Sequence, residues 1–236
     1  MEINELKRII DNSKYLVVFT GAGVGTESGL KDFRSSDGLY KEKLENNPEY
    51  YLSNNCFYHD TKEFYDYYRK NMNFLDTKPN IVHEYLKKLE DKGILKAVIT
   101  QNIDGLHQKA GSKNVYELHG SVLRNYCMRC NKFYNAEYIF NSEEIPKCEC
   151  GGIIKPDVVL YEEGLDNNIL TNSVRAISEA DLMIVAGTSL TVYPASGLIN
   201  YFRGRNLVLI NRDSTPFDNM ANLVINESLG KVFGGI

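Results

Sequence analysis

The apolar run Tyr15–Phe19 leads into Thr20-Gly21-Ala22-Gly23-Val24-Gly25-Thr26-Glu27-Ser28-Gly29, followed closely by Asp32-Phe33-Arg34. A strand that breaks into glycines and then into a helix start gathers free backbone N–H groups at a positive dipole end, where a pyrophosphate binds. An ordinary tight turn would use glycines in the same way. The spacing departs from the hydride-transfer fingerprint G-x-G-x-x-G, which needs glycine where this chain has Thr26; Gly25 comes one residue early. A dehydrogenase of that design is therefore disfavoured. Asp32, Phe33 and Arg34 set the loop apart, because one segment delivers an acid, an aromatic face and a fixed cation to the same neighbourhood.

Four of the five cysteines cluster as Cys127-Met128-Arg129-Cys130 and Cys148-Glu149-Cys150, seventeen residues apart. Two close pairs at that separation match the knuckles of a tetrahedral thiolate zinc site. Two reduced pairs or a redox couple are the alternatives. Four sulfurs leave no open coordination position, so such a metal would hold the fold and not activate water. The second pair has one intervening residue where two are usual, and Gly151-Gly152 supply the backbone freedom a tighter knuckle needs. Cys56, alone in Asn54-Asn55-Cys56-Phe57, reads as a semi-buried, inert thiol.

Polar residues collect where other apolar runs end. Leu95–Ile99 runs into Thr100-Gln101-Asn102-Ile103-Asp104-Gly105-Leu106-His107. Ligands of open α/β sheets bind at the carboxyl ends of strands, which suits a Gln-Asn-Ile-Asp cluster; Asp104 could equally cap a helix carrying Leu106 and Ala110. Glu117-Leu118-His119-Gly120-Ser121 puts His119 just past another strand end, where the cysteine segment begins. His59, His83 and His107 have weaker claims, His83 reading as the exterior of a helix and His107 as part of one. Gly187-Thr188-Ser189 and Asn211-Arg212-Asp213 are strand-end loops suited to ribose and adenine, or plain turns.

These residues need a scaffold, and the alternation of apolar runs with helical periodicity supplies one: an α/β fold with a parallel sheet covered by helices. Tyr15–Phe19, Leu95–Ile99, Val115–Leu118, Val158–Tyr161, Leu182–Ala186 and Leu207–Ile210 read as strands. Ile81, Val82, Tyr85, Leu86 and Leu89 share a helical face after Pro79, as do Leu198, Ile199 and Phe202 after Pro194. The alternation divides the chain into a Rossmann-like unit of residues 1–34, 78–120 and 156–236, and a small lobe built from a helical insertion, 35–77, and the cysteine module, 121–155. At 236 residues and 43% hydrophobic content the chain can bury a full core. A net charge of −4 gives no footprint for nucleic acid and suits cationic partners such as lysine-rich segments. No run approaches 18 apolar residues and the first residues do not form a signal peptide, so a cytoplasmic protein without a membrane span is expected.

In this order, the glycine loop with Asp32-Phe33-Arg34, the Gln101–His107 segment, Glu117-Leu118-His119-Gly120, the four cysteines, Lys155-Pro156-Asp157-Val158-Val159, Gly187-Thr188-Ser189 and Asn211 resemble the sirtuin family, NAD-dependent protein lysine deacylases of bacterial type. The resemblance implies a Rossmann-like NAD-binding domain, a small lobe with one structural zinc ion on Cys127, Cys130, Cys148 and Cys150, and NAD as a consumed co-substrate. It further implies that Ala22, Thr26, Phe33 and Arg34 form the phosphate loop, with Phe33 guarding the nicotinamide side. Gln101, Asn102, Ile103 and Asp104 would line the nicotinamide pocket, and Asp104 would accept a hydrogen bond from the carboxamide. Thr188, Ser189, Asn211 and Leu229 would hold the adenosine half. His119 would be the general base. Val158, Val159 and Tyr161 would contact the substrate, the two valines flanking an acyl-lysine tunnel. The edges Val159–Glu163 and Thr188–Tyr193 would pair with its backbone as an added strand.

The implied reaction is attack of the acyl oxygen on the ribose C1′ as nicotinamide leaves, followed by deprotonation of the ribose hydroxyl relay by neutral His119, attack of the 2′-oxygen, and hydrolysis. Its products are lysine, nicotinamide and O-acetyl-ADP-ribose. A protein ADP-ribosyltransferase on this scaffold would use the same NAD pocket without requiring an acyl-lysine. Family members that remove succinyl or malonyl groups place an arginine three residues after a tyrosine; here Tyr65 is followed by Tyr68, and Arg69 falls about 100° further round the helix. Acetyl, or longer apolar acyl groups, are therefore expected. The chain departs from the family pattern at Gly25, commonly serine, at Lys31, commonly proline, at Glu162, commonly glycine, and in the short Cys148-Glu149-Cys150 knuckle.

Overall fold

Residues 2–32, 38 and 46–236 are described by the computed structural model; Phe33 and Arg34, read above as part of the cofactor loop, lie outside them. The strands β1 (Leu16–Thr20) and β7 (Leu182–Ala186) are buried at every residue. A strand with no solvent-facing side must lie inside a sheet covered on both faces. It does: β1 and β7 are the central pair of a six-stranded parallel sheet that also contains β2 (Leu95–Thr100), β3 (Val115–Glu117), β8 (Asn206–Ile210) and β9 (Leu223–Ile225), in the order β3-β2-β1-β7-β8-β9. The chain winds outward from β1 in one direction and from β7 in the other, so a crevice opens between their carboxyl ends.

Alternation along β1 divides two cores. Leu16 and Val18 pack with Leu6 and Ile10 of the helix Glu2–Asp11, Val82, Leu86 and Leu89 of the helix Ile81–Asp91, and Val232 and Phe233 near the C-terminus. Val17 and Phe19 face the other way, onto Ala176 and Ile177 of the helix Asn167–Glu179 and onto Leu198 and Ile199 of the 3-10 helix Ala195–Tyr201. A third core, rich in aromatic rings, belongs to the small lobe. Phe57, Phe64, Tyr65 and Tyr68 from the helices Asn54–His59 and Thr61–Asn71 pack there with Val122, Ile139, Ile154 and Leu160. Beside them lies an antiparallel sheet, β5-β4-β6, formed by β4 (Gly120–Cys127), β5 (Phe133–Asn135) and β6 (Ile154–Val158).

Three expectations are corrected. The strand expected at Val158–Tyr161 is β6, ending at Val158, and it belongs to the small antiparallel sheet. Its Ile-Lys-Pro-Asp-Val sequence alternates buried and half-buried residues on a sheet edge, where proline is tolerated, so it lacks the continuous apolar run of a central strand. His83 is fully buried, not on a helix exterior: its Nδ1 accepts the Asn80 N–H at 3.2 Å and its ring lies 4.7 Å from that of His107. Cys56 is fully buried, and burial pushes its thiol up to about 11, which keeps it inert.

Candidate active site

The carboxyl ends of β1, β2, β7 and β8 and the start of the small lobe enclose a cavity of about 690 Å3. After β1 the chain forms a helix of five residues, Ala22–Thr26, pressed against the turn after β7, where Gly23 N–H donates to Gly187 O at 2.8 Å. A Cβ on Gly23 would lie 2.7 Å from the Gly187 Cα, so only glycine permits this approach. The same loop is braced from behind by Asn80, whose Nδ2 donates to Val24 O at 2.8 Å and to Ser28 Oγ at 2.9 Å. Sequence reasoning missed Asn80. Its signal was the residue type immediately before the helix, since its Oδ1 caps that helix by accepting the Val82 N–H.

The end of β2 is tied into the same wall. Gln101 Nε2 donates to Thr188 Oγ1 at 3.0 Å, and Asn102 Nδ2 donates to Gly21 O at 3.1 Å. Asp104 is 8% exposed, and its Oδ1 accepts the Leu106 N–H at 2.8 Å. Burial raises its carboxyl to about 6, with the neighbouring Glu117 adding to the shift and the Leu106 N–H opposing it. His119 follows β3, the strand paired with β2, and lines the same cavity. Its Nδ1 lies 2.9 Å from Gln101 O; a carbonyl can only accept, so Nδ1 carries the proton and Nε2 is left as the basic nitrogen. Burial lowers its pKa from the ordinary histidine value, keeping the ring neutral at pH 7. The backbone of the same residue reaches the next segment, His119 O accepting the Val159 N–H at 3.0 Å.

The cavity brings together Ala22, Thr26, Gln101, Asn102, Ile103, Asp104, His119, Thr188, Ser189, Asn211 and Leu229 with Val158, Val159 and Tyr161. Tyr68, Met72 and Phe74 of the small lobe also line it. Arg69 turns away, held by Asp66 Oδ1 at 2.8 Å and Glu144 O at 2.9 Å. The loops after β7 and β8 are ordered by short polar links, Ser189 Oγ to Thr191 Oγ1 at 2.9 Å and Asn211 Nδ2 to Asp213 O at 2.8 Å.

Away from this cavity, the sulfurs of Cys127, Cys130, Cys148 and Cys150 all lie within 4.8 Å of one another, three of the pairs at 3.5 Å. Tetrahedral zinc–sulfur bonds of about 2.3 Å require sulfur–sulfur edges of about 3.8 Å, so the donor set fits a zinc ion. The short second knuckle is made possible by its glycines. Gly151 has φ +81°, and a Cβ on Gly152 would lie 2.7 Å from Cys127 Sγ.

Comparison with known proteins agrees with this geometry. The Sir2 family profile matches residues 21–194. A protein of Clostridium acetobutylicum named NAD-dependent protein deacetylase is 60% identical over 98% of this chain and 96% of its own, and one of the same name from Clostridium perfringens is 57% identical over 100% and 98%. Among solved structures, a Sir2 protein with deacetylated p53 peptide and 3′-O-acetyl ADP-ribose superposes with a TM-score of 0.92 at 40% identity, covering 100% of this chain and 97% of that one. A complex described as Sir2, p53 peptide and NAD+ gives 0.88 at 40% identity over 99% and 96%. Sequence, fold and cavity therefore lead to one conclusion: the chain belongs to the Sir2 family.

Proposed function

We infer that the chain is an NAD-dependent protein lysine deacetylase, as its relatives of up to 60% identity are named. One observation carries the reading within the molecule: a neutral histidine, its tautomer fixed by Gln101 O, faces a cavity shared by the glycine loop and the small lobe. The fit to NAD rests on the glycine loop packed against Gly187 and on four polar strand ends that open into one crevice. NAD supplies, when bound, the ADP-ribosyl group that accepts the acetyl as nicotinamide departs.

The chain's own groups divide the work. Ala22, Thr26, Phe33 and Arg34 would hold the pyrophosphate and close the nicotinamide side. Gln101, Asn102, Ile103 and Asp104 would orient nicotinamide and its ribose; for the buried Asp104, an amide donor offsets the loss of water that raises its pKa. Thr188, Ser189, Asn211 and Leu229 would take the adenosine half. His119 would receive the ribose hydroxyl proton at Nε2, while the Gln101 carbonyl keeps the ring oriented and stabilises the charge it acquires. Val158, Val159 and Tyr161 would line the path of the acyl-lysine, bringing acetylated lysine side chains of proteins to the cofactor. The cysteine module would be held by one zinc ion and take no part in proton transfer.

Residues 1–34, 78–120 and 156–236 are proposed as the NAD-binding domain, and 35–77 with 121–155 as the small domain; the aromatic core supports the division, with the end of β6 and Leu160 crossing the boundary at 156 to join that core. No helix among the described residues is long and apolar enough to cross a membrane. Together with the thiolate cluster, which a reducing compartment preserves, this supports a cytoplasmic location. The decisive experiment is mass spectrometry of an acetyl-lysine peptide incubated with the protein, with and without NAD. Loss of acetyl only with NAD, alongside O-acetyl-ADP-ribose, is expected; modification of the protein by ADP-ribose without need of an acyl-lysine would overturn the reading.

A further inference from the structure

Residues Leu160–Glu163 close a tight turn on the rim of the cavity, Glu163 N–H donating to Leu160 O at 3.0 Å. Its third residue, Glu162, has φ +75°, a conformation that this turn ordinarily gives to glycine and that costs a residue with a side chain. The turn is strapped to the small lobe: Tyr161 N–H donates to Leu52 O and Asn54 N–H to Tyr161 O, both at 3.0 Å, and Glu162 Oε2 accepts the Asn55 N–H at 3.0 Å. The adjacent Glu163 is turned inward and neutralised. Its carboxylate receives Lys155 Nζ at 3.1 Å, the Leu160 N–H at 2.9 Å and Asn54 Nδ2 at 3.0 Å. Glu162, by contrast, is exposed and pairs with no cation among the described residues. The strap itself does not need the charge, since any side-chain carbonyl oxygen could accept the Asn55 N–H. A fixed carboxylate therefore stands beside Tyr161 and Val159, in a strained backbone conformation that an uncharged glycine would occupy without cost.

We propose that Glu162 is a specificity-determining residue that selects acyl-lysine segments carrying a lysine or arginine beside the modified lysine. This rests on reading the cavity as the peptide deacetylation site. An exposed carboxylate–cation pair of this kind is worth up to about fivefold and weakens with salt.

The test uses three acetyl-lysine peptides, identical except for arginine, glutamine or glutamate on both sides of the acetyl-lysine. Rates are measured with NAD at low ionic strength and again in 0.3 M salt, on the order of a Debye length of 5–6 Å. The expected order of kcat/KM is arginine over glutamine over glutamate, about three- to fivefold per step, carried by KM and compressed by salt. Glu162→Gln, which keeps an acceptor for the Asn55 N–H, and Glu162→Gly, which relieves the turn, should both flatten the series. Equal rates on all three peptides in the parent, or an undiminished series in both variants, would overturn the proposal. Failure of the parent to turn over any of the three would instead refute the deacetylase reading on which it rests.

Discussion

Acidification should destabilise this protein through two buried histidines that take no part in the chemistry. His83 and His107 are 0% and 1% exposed, and His107 Nε2 lies 3.1 Å from Thr20 Oγ1. The second nitrogen of each ring, His83 Nε2 and His107 Nδ1, has no hydrogen-bond partner among the described residues. Burial holds His83 down to about 4, and burial together with its histidine neighbour holds His107 down to about 3. Both lie below the unfolded value of about 6.5, so the unfolded chain binds more protons and stability falls as the pH drops from about 6.5 toward 3–4. At pH 5 each histidine costs about 2 kcal/mol relative to pH 8, about 4 kcal/mol together. Asp104 acts with the opposite sign. Its carboxyl, raised to about 6, is protonated in the folded state before it is in the unfolded chain, which offsets about 1.5 kcal/mol at pH 5. These three groups together leave a loss of about 2.5 kcal/mol, to which the lowered pKa of His119 adds in the same direction. Urea unfolding without NAD at pH 8 and pH 5 measures it directly, and His107→Phe should remove about 2 kcal/mol of the difference whatever it does to stability at pH 8. An unchanged unfolding free energy between the two pH values in the parent, or the same difference in the variant, would refute the argument.

Three further outcomes follow from the site. His119→Ala should lower deacetylation roughly 10²–10⁴-fold while NAD affinity stays within about tenfold, and in the parent the acid limb of kcat/KM should lie below pH 6.5 because burial depresses the histidine; near-normal turnover in the variant would remove His119 as the base. The purified protein should carry one equivalent of zinc, and Cys148→Ala should lose both the metal and the folded small lobe; full activity with no metal by elemental analysis would contradict this. Acetyl should be preferred to succinyl by at least about a hundredfold in kcat/KM, about 2.7 kcal/mol, because Tyr68 lines the cavity, Arg69 is committed to Asp66 and Glu144 O, and a buried carboxylate would go unpaired; Tyr68→Arg should narrow the gap, and comparable rates in the parent would sink the assignment.

The central strands were readable because they are buried on both faces, and a continuous apolar run such as Leu182–Ala186 has few other meanings. The small sheet was not. β6 and β5 carry Lys155, Pro156, Asp157 and Asn135 within strands that are covered on one face only or lie at an edge, so their polar residues resemble loops. His83 was misread for a related reason. Helical periodicity locates the face that meets the main sheet, but it cannot reveal that His107, from a different segment, covers the first turn of that helix from another side. The cysteine module was legible as chemistry although its strands were not, since ligand spacing is local and the pairing that supports it is not.

Asp104 shows why the site is not legible from sequence alone. From sequence its carboxylate is either a helix cap or a ligand group, two readings that look exclusive because one side chain is being assigned one partner. The structure divides the carboxylate: Oδ1 accepts the Leu106 N–H, while the residue as a whole lines the cavity and loses enough water to raise its pKa to about 6. The cap fixes the orientation, and the orientation keeps the desolvated group at the pocket wall, where a ligand donor is worth more than it would be in water. The cap contact is thus the means by which the carboxylate is held at the cavity wall. His119 follows the same logic, with the Gln101 carbonyl fixing one nitrogen so that the other remains basic.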